Sequence, residues 1–470
     1  MNPLRRFVVI AATVCSLSAP VVFAASTVKT PNFEKVKLAN GATLLLMERH
    51  DVPLIAFTAV VRGGALTDPA ERLGTASLLA GLLEKGAGNR DANTFAETVA
   101  SVGGQIQTGT STESISVAGS FLARDQKLMV ELLADVLQRP RLEEKQFETL
   151  RDRSIEFIRA AKDSDRSTLT PIYGAASLFG AHPYGRSVGG SEASLAAIKH
   201  ADVRQYYADN FGADRVIIAV AGDFKTAQLK SLLSRAFANW RKAGQPLPAV
   251  PKQTQVTARR VLLVDAPDAV QSYFWCGDVS VPRNDPRRAA LDIVNTLFGG
   301  RFTSMLNTEL RIRSGLSYGA SSRFDRMAEG GSWELGSFTR TEKTIEAIDL
   351  AFATLDKLHA GAIDDAQLES AKSYVLGQYP LGLETASQWA YQLATLELYG
   401  LDRSYIDDYG NQLAAVTLAD ARHVIDEVIP SSRQVVLVVI GKADAIREGL
   451  RKYGPLTEVK LSDPEFRAQP

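Results

Sequence analysis

The sequence is poor in the residues from which disulfides and metal sites are built. Its 470 residues include two cysteines and five histidines. Neither a four-cysteine zinc site nor a disulfide-dense framework can be made from two cysteines. Because Cys15 lies in the N-terminal segment discussed below, Cys276 is the only cysteine of the remaining chain, and no internal disulfide is expected.

The chain also lacks an excess of charge of either sign. Lysine and arginine together number 53, as do aspartate and glutamate, so the formal net charge is zero. A general nucleic-acid-binding protein carries an electrostatic excess of positive charge, and the balance argues against that class. The hydrophobic fraction of 45% is sufficient for large buried cores, so the chain is expected to fold. Length alone predicts about three domains.

Apolar runs long enough to span a bilayer are absent beyond the N-terminus. The N-terminus itself has the pattern of a secretory signal: Arg5 and Arg6 precede an apolar run, and Ala24 ends a small-residue cleavage site. We therefore predict a signal peptide over residues 1–24. The mature protein is expected in the periplasm, with no membrane span after the signal is removed.

A proline-rich break divides the chain into two similar halves. One glycine and three prolines lie within residues 241–252 and disfavour both helix and strand. Gly119-Ser120-Phe121 recurs as Gly336-Ser337-Phe338, each time before an amphipathic helical pattern. Two further matches near the ends of the halves have nearly the same offset. This repeat indicates duplication of a unit of roughly 220 residues and lowers the expected number of domains to two.

Within each half, strand-like runs alternate with helical windows, and several strands are joined by short turns. This mixture predicts an α+β fold of two homologous sandwich domains, each a mainly antiparallel sheet with helices packed on one face. The predicted N-terminal domain covers residues 25–240, the linker 241–255 and the C-terminal domain 256–470. The first half is predicted to contain strands at 43–47, 55–61, 115–121 and 216–221, and helices at 75–84, 126–137, 144–160 and 201–210.

The histidines give no sign of a zinc hydrolase within this chain. None of the five lies within four residues of another, so neither HExxH nor HxxEH is present. Glycine-rich phosphate-binding motifs are also absent. Zinc catalysis and phosphate chemistry confined to this chain are therefore not expected.

One segment does match a catalytic pattern, because Gly315 to Gly319 fits the GxSxG motif of serine hydrolases with Ser317 at its centre. That mechanism requires a strand before the serine and a helix after it. Here the apolar positions Phe302, Met305, Leu306 and Leu310 predict a helix before the motif, and residues 323–338 read as strand, turn and strand after it. A serine hydrolase using Ser317 is accordingly the weakest alternative.

The segment LGTASLLAGLLEKG at residues 73–86 resembles the zinc-binding helix of the pitrilysin/insulysin metallopeptidases, the inverzincins, which include mitochondrial processing peptidase. Active members carry HxxEH there: two histidines on one helix face bind zinc, and the glutamate activates water. At these three positions the chain has Ser77, Ala80 and Gly81. The resemblance thus implies a degenerate helix that binds no metal. The further glutamate ligand of active members would fall near Glu156, whose role the sequence leaves open.

The second half retains a different part of the family's site. Residues 298–324 are similar to the segment in which active inverzincins place an arginine and, seven residues later, a tyrosine. These positions are Arg311 and Tyr318, with Arg313 as a neighbouring candidate if the register slips. A guanidinium and a phenol can donate hydrogen bonds to a peptide carbonyl. Without the resemblance, Arg311 reads as a solvated arginine and Tyr318 as a half-buried strand aromatic.

The resemblance covers essentially the whole mature chain and implies a function. We expect the non-zinc subunit of a heterodimeric periplasmic zinc peptidase, with zinc and HxxEH in a homologous partner. Arg311 and Tyr318 would bind the peptide substrate, and no zinc peptidase activity is expected from this chain alone. The alternative is a non-catalytic structural or peptide-binding envelope subunit, resembling the core proteins of the respiratory cytochrome complex.

Overall fold

A computed structural model describes residues 28–466. The predicted signal peptide, residues 1–24, lies outside the described residues. Within the described range the chain forms two six-stranded sheets and one two-stranded hairpin, together with helices that pack on both large sheets. No helix in this part of the chain is both long enough and apolar enough to cross a bilayer.

The first half contains eight strands and eight α-helices among the residues described. The strands are β1 (Glu34–Lys37), β2 (Thr43–Glu48), β3 (Leu54–Arg62), β4 (Gly86–Ala87), β5 (Arg90–Asp91), β6 (Gln105–Thr110), β7 (Ser114–Leu122) and β8 (Val216–Gly222). The helices are α1 (Thr75–Leu83), α2 (Ala92–Ser101), α3 (Gln126–Gln138), α4 (Glu144–Ser164), α5 (Thr170–Phe179), α6 (Glu192–Ala197), α7 (His200–Asn210) and α8 (Thr226–Phe237). The four strands and four helices predicted for this half are confirmed.

The second half adds six strands and nine α-helices within the described range. The strands are β9 (Arg260–Asp265), β10 (Gln271–Ser280), β11 (Ala320–Met327), β12 (Gly330–Arg340), β13 (Val436–Gly441) and β14 (Leu456–Lys460). The helices are α9 (Arg288–Asn295), α10 (Met305–Asn307), α11 (Thr344–His359), α12 (Asp365–Gln378), α13 (Ala386–Leu398), α14 (Ser404–Asp407), α15 (Tyr409–Ala415), α16 (Leu418–Val428) and α17 (Ala443–Leu450).

The two large sheets share the arrangement of five strands and differ at one edge, where β1 pairs antiparallel with β2 but β14 pairs parallel with β9. The strand order is β1-β2-β8-β3-β7-β6 in the first sheet and β14-β9-β13-β10-β12-β11 in the second. Most neighbouring strands are antiparallel. In both sheets, however, a strand from the end of the half pairs parallel with a strand from its beginning, β8 with β2 and β13 with β9. The repeated Gly-Ser-Phe lies on β7 and β12, directly before α3 and α11. The predicted α+β fold of two homologous domains is confirmed, but the prediction that helices pack on one face of each sheet is wrong, because a helix from the other half covers the second face.

The two halves exchange one helix each. On its second face, the first sheet is covered by α13 from the second half, and Trp389 and Leu393 are buried in a core with Leu45 and Met47 of β2. Reciprocally, α5 from the first half packs on β10 and β13 of the second sheet. The contact is close enough that a Cβ at Gly174 would lie 2.5 Å from the ring of Trp275. The halves therefore share their cores.

This exchange explains the sequences of the central strands. Strand β8 reads VIIAVAG and β13 reads VLVVIG, and every residue of both is buried. A strand with one wet face would alternate apolar and polar residues, whereas continuous apolar runs are typical of strands covered on both faces. Between Phe237 and Arg260 the described chain forms neither helix nor strand. The exact linker boundaries, 241–255, remain a prediction.

One cysteine, Cys276, lies among the residues that the structure describes, and its surroundings indicate a structural role. Cys276 lies on β10 and is buried as a free thiol. Burial raises the pKa of this thiol to about 12, so the reactive thiolate is not formed near neutral pH.

Candidate functional site

The segment that carries Arg311 and Tyr318 connects helix α10 to the edge strand β11. Ser304 caps α10, because its Oγ accepts a hydrogen bond from the backbone N of Asn307 at 3.4 Å. After one short α-helical turn, the chain widens into a π-helical turn over Thr308–Arg313. Single π-helical turns occur frequently at functional sites. Here the turn contains the arginine that the sequence singled out.

The sequence prediction for the start of this helix is partly wrong. Leu306 and Leu310 are buried as expected, and Met305 is partly buried. Phe302, however, lies before the cap rather than on the buried helix face, and it is 57% exposed. The apolar spacing therefore predicts a helix that begins one turn too early. The serine at position 304, a strong N-cap residue, was the signal that the helix begins after it.

The structure brings Arg311 and Tyr318 together and adds Phe302 to them. The guanidinium carbon of Arg311 lies 4.2 Å from the ring centroid of Tyr318 and 4.8 Å from that of Phe302. Both distances are typical of cation–π contacts. Tyr318 is 74% exposed, so it is neither half-buried nor part of a strand. Together they form a surface cluster in which the partly buried Arg311 lies against two exposed aromatic rings.

Arg311 forms no ion pair with a carboxylate among residues 28–466. Glu309 accepts a hydrogen bond from Arg313 at 2.8 Å and from Lys357 at 3.3 Å. Arg313, the alternative arginine and the i+4 neighbour of Glu309, is thus engaged in a surface ion pair. Arg311 is the arginine that contacts Tyr318, and in the described part of the chain its N–H groups donate no hydrogen bond.

The loop that presents Tyr318 is fixed by hydrogen bonds on both sides of the tyrosine. Gly315 adopts a φ of 63°, which lets the chain leave the helix. The backbone N of Ser317 then donates to the carbonyl of Leu310 at 2.9 Å. Ser337 of β12 donates to the carbonyl of Gly319, also at 2.9 Å. With its neighbours held, the Tyr318 side chain projects from a defined backbone.

Ser317 has the surroundings of a structural serine rather than of a nucleophile. It is 7% exposed, and its hydroxyl donates to the carbonyl of Gly319 at 2.8 Å. The motif follows a helix and precedes β11, the reverse of the strand-to-helix order that a nucleophile elbow requires. The geometry gives no support to the serine-hydrolase alternative.

A groove of about 460 Å³ begins beside Tyr318, at Gly319 and Ala320. It runs over β10, β11 and β12, and the N-terminal end of the exchanged helix α5 forms one wall. Aromatic side chains line part of it, with Tyr273 stacked on Phe338 at a centroid separation of 5.6 Å. A groove of this size and character, open next to free hydrogen-bond donors, is suited to a peptide segment.

The helix that resembles a zinc helix cannot hold zinc in this chain. Ser77 and Gly81 lie on the same face of α1, and Ala80 is 3% exposed. None of the three side chains is a zinc ligand. Leu150 of α4 fills the space next to position 81, since a Cβ there would lie 2.6 Å from its Cδ2. The Leu150 side chain therefore occupies space that a histidine at position 81 would need.

Glu156, near which the third ligand of active members would fall, forms a surface ion pair. Glu156 is exposed on α4 and pairs with Arg159 at 2.6 Å, an ordinary surface ion pair. Within the described part of the chain, no group of three histidine, cysteine or acidic side chains is placed to hold a metal ion. The histidines bond separately, for example His200 to the carbonyl of Leu142 and His359 to that of Pro430.

Helix α1 is nevertheless held firmly in place. The buried carboxylate of Asp68 accepts hydrogen bonds from the backbone N of Gly74 and of Ala76, both at 2.8 Å, at the start of the helix. Burial raises the pKa of Asp68 to about 7. At the other end, Glu84 accepts from the backbone N and the hydroxyl of Thr108 on the edge strand β6. The helix functions here as a packed structural element.

Comparison with known proteins places these features in a family. The family described as "Insulinase (Peptidase family M16)" matches residues 46–191, and that described as "Peptidase M16 inactive domain" matches residues 197–375. An uncharacterized zinc protease of Mycobacterium tuberculosis is 29% identical over 380 residues, 80% of this chain and 86% of the relative. The non-peptidase homolog YmxG of Helicobacter pylori is 23% identical, over 80% of this chain and 87% of the relative.

A solved structure shows the same fold. The crystal structure of a peptidase M16 inactive domain from Pseudomonas fluorescens superposes with a TM-score of 0.81 at 20% sequence identity. It covers 87% of this chain and 98% of that one.

Proposed function

This chain belongs to the M16 (insulinase) family of peptidases, and we propose that it is the non-zinc subunit of a heterodimeric periplasmic zinc peptidase. In this proposal a homologous HxxEH partner contributes the zinc site, and Arg311 and Tyr318 bind and position the peptide there. The similarity to a relative named as a non-peptidase homolog supports a family member without a catalytic centre of its own.

The observation that carries the proposal is the contrast between the two parts of the family's site. The metal-binding positions hold Ser77, Ala80 and Gly81, and Leu150 packs against the last of them. Arg311 and Tyr318, by contrast, are in contact with each other; Arg311 is partly buried and Tyr318 is exposed. Within residues 28–466 no carboxylate pairs with Arg311, so its guanidinium is available to a substrate.

The chemistry of the pair fits the binding of a peptide backbone. Arginine presents a planar fork of N–H donors and tyrosine one O–H donor, while peptide carbonyls are acceptors. Donors fixed in advance position a substrate and stabilise negative charge that develops on a carbonyl oxygen. The groove beside Tyr318 offers room for the flanking residues of such a peptide.

The proposal is tested by isolating the complex from its own cells. A tag on this chain should capture a homologous HxxEH protein from the periplasmic fraction, and the pair should cleave an unstructured fluorogenic peptide. Removal of zinc with a chelator should abolish cleavage. The purified chain alone should show none; full zinc-dependent cleavage by this chain alone would refute the proposal.

The role of the pair is tested within that complex. Arg311→Ala should lower kcat/KM at least about tenfold, corresponding to roughly 1.4 kcal/mol of lost transition-state stabilisation. Arg313→Ala is the matched control, because Arg313 lies on the same turn and its charge pairs with Glu309 at the surface. An Arg311→Ala effect no larger than that of the control would remove Arg311 from the site.

The alternative is a non-catalytic structural or peptide-binding subunit of the envelope. It shares the loss of the metal-binding positions and therefore predicts the same degenerate helix. It differs in predicting a stable assembly that is indifferent both to zinc and to Arg311→Ala. Capture of a complex without an HxxEH protein would favour this alternative.

A further inference from the structure

We propose that Phe302 is a positioning residue of the Arg311/Tyr318 site: its ring holds the Arg311 guanidinium in the orientation in which that group meets the substrate peptide. This inference rests on the proposed function, because it assigns a task to Phe302 only if Arg311 binds peptide. It concerns a residue that the sequence pattern had placed in the buried face of a helix.

The geometry around Phe302 carries the inference. Its ring lies 4.8 Å from the guanidinium carbon of Arg311, although the two are nine positions apart in the chain, on opposite sides of the helix cap Ser304. Phe302 is 57% exposed, so burial of its own surface does not explain a phenylalanine there. The polar neighbours Arg301 and Thr303 are fully compatible with an exposed loop. What the ring does contact is the free guanidinium.

Two aromatic rings restrict a guanidinium without using its hydrogen-bond donors. A carboxylate partner would orient Arg311 but would also occupy the N–H groups that a substrate needs. Ring faces attract the cation through their quadrupole and leave the N–H fork free. Tyr318 alone provides one such face and has its own donor to offer. Phe302 provides the second and has no polar group that could compete for the peptide.

Ile312 offers a matched control for the exposure of Phe302. It lies in the same segment and is also 57% exposed, but its aliphatic side chain cannot make a cation–π contact with Arg311. A general contribution of exposed apolar surface, for example to docking of the partner, would make Ile312 and Phe302 equally sensitive. A specific action through Arg311 requires that only Phe302 be sensitive.

The first experiment needs no partner and uses the mature chain. The side-chain Nε–Hε signal of Arg311 in ¹⁵N-arginine-labelled protein, identified by its loss in Arg311→Lys, should be shifted upfield by the ring currents. Phe302→Leu should reduce this shift and Phe302→Tyr should preserve it, whereas Ile312→Ala should leave it unchanged. An Arg311 signal that is insensitive to Phe302→Leu would overturn the inference.

The second experiment measures peptide cleavage by the complex isolated through this chain. Phe302→Leu should lower kcat/KM about two- to fivefold, the range of an exposed cation–π contact. Phe302→Tyr, which keeps the ring face, should restore it, and Ile312→Ala should have no effect. In an Arg311→Ala background, Phe302→Leu should lower kcat/KM no further, because Phe302 acts through the Arg311 guanidinium.

The outcomes separate this inference from the proposed function. If Arg311→Ala lowers kcat/KM but Phe302→Leu matches Ile312→Ala, the inference on Phe302 fails and the proposed function stands. If Phe302→Leu is equally harmful with and without Arg311, Phe302 acts independently and the inference also fails. If Arg311→Ala itself has no effect, the proposed function fails and the inference with it, whatever the NMR signal shows.

Discussion

Helix α1 in the first half and the segment from Phe302 to Tyr318 in the second correspond to the two parts of the site that we propose, and their side chains differ in packing. In α1 the residues at the proposed metal-binding positions are small, and Leu150 packs into the space beside Gly81. In the second segment Arg311 is partly buried and Tyr318 is exposed, and among residues 28–466 neither side chain donates a hydrogen bond. Substitutions at the α1 positions should therefore affect folding, and substitutions of Arg311 and Tyr318 should affect binding.

The largest effect is expected from rebuilding the zinc motif. Ser77→His, Ala80→Glu and Gly81→His together place a carboxylate at a site that is 3% exposed and an imidazole against Leu150. An unpaired buried charge alone costs about 3–5 kcal/mol. We expect a corresponding loss in the free energy of unfolding in urea and no stoichiometric zinc. Ser77→His alone, at a half-buried position, is the control. A triple variant of normal stability with one tightly bound zinc would contradict the comparison.

The second prediction uses the buried cap of α1. Because the folded pKa of Asp68 is raised from 3.8 to about 7, the folded protein retains a proton that the unfolded chain releases above about pH 4. The stabilisation from this group is complete below about pH 4 and is lost as the pH rises through 7. It should contribute a slope approaching about −1.4 kcal/mol per pH unit to the free energy of unfolding between these values.

Asp68→Asn should remove that slope in denaturant titrations at several pH values. Asp91→Asn is the control, since Asp91 also caps a helix, α2, but is exposed, and its pKa is lowered by the backbone N of Thr94. Its contribution is present above the unfolded pKa and is lost only in acid. An unchanged slope in Asp68→Asn would show that the proton resides elsewhere.

The third prediction concerns the loop of Tyr318. Gly315→Ala places a Cβ at a φ of 63° in otherwise open space. The cost is therefore that of the left-handed backbone alone, about 1–2 kcal/mol of unfolding free energy. Gly319→Ala, which also meets nothing within 4 Å but has no positive φ, should be neutral. Equal effects of the two substitutions on thermal unfolding would contradict the role given to Gly315.

The smallest effect on folding is expected at Tyr318. Tyr318→Phe keeps the ring beside Arg311 and removes a hydroxyl that is exposed, so stability should change by less than about 0.5 kcal/mol. Peptide cleavage by the complex should nevertheless fall roughly fivefold, the cost of about 1 kcal/mol for one hydrogen bond. Tyr391→Phe, at a tyrosine that is 58% exposed, should alter neither quantity. If Tyr318→Phe instead lowered stability and kept full cleavage activity, Tyr318 would be a structural residue rather than a binding residue.

The sequence predicted four of the eight strands and four of the eight α-helices described in the first half, and the duplication, because these depend on local periodicity and turn residues. The resemblance to the inverzincins pointed to Arg311 and Tyr318, whose side chains the structure places in contact; their role stays a prediction. The pairing of Glu309 with Arg313 rather than Arg311 follows from the i,i+4 spacing, because residues two positions apart do not face each other on a helix. The sequence could not predict that Phe302 would lie against Arg311, because that contact depends on the path of the chain before the helix cap.

Two features were missed by the apolar pattern. The spacing predicts Phe302 on a helix face, although Ser304, a strong N-cap residue, indicates that the helix begins after it. The exchange of α5 and α13 leaves only an indirect trace, the uninterrupted apolar sequences of β8 and β13. Which helix covers which sheet is decided by packing over more than a hundred residues of separation, where local sequence carries no information.

The exchange of α5 and α13 makes the duplicated chain a single interlocked body. Each half contains a helix that covers one face of the other half's sheet. Separating the halves would therefore uncover one face of each sheet and expose residues such as Trp275 and Leu45. The linker around residues 241–255 then keeps the two halves close to each other, while the helix contacts hold them together. A chain cut there should remain associated, and if its two fragments are made separately they should be insoluble alone and reassemble only when they fold together.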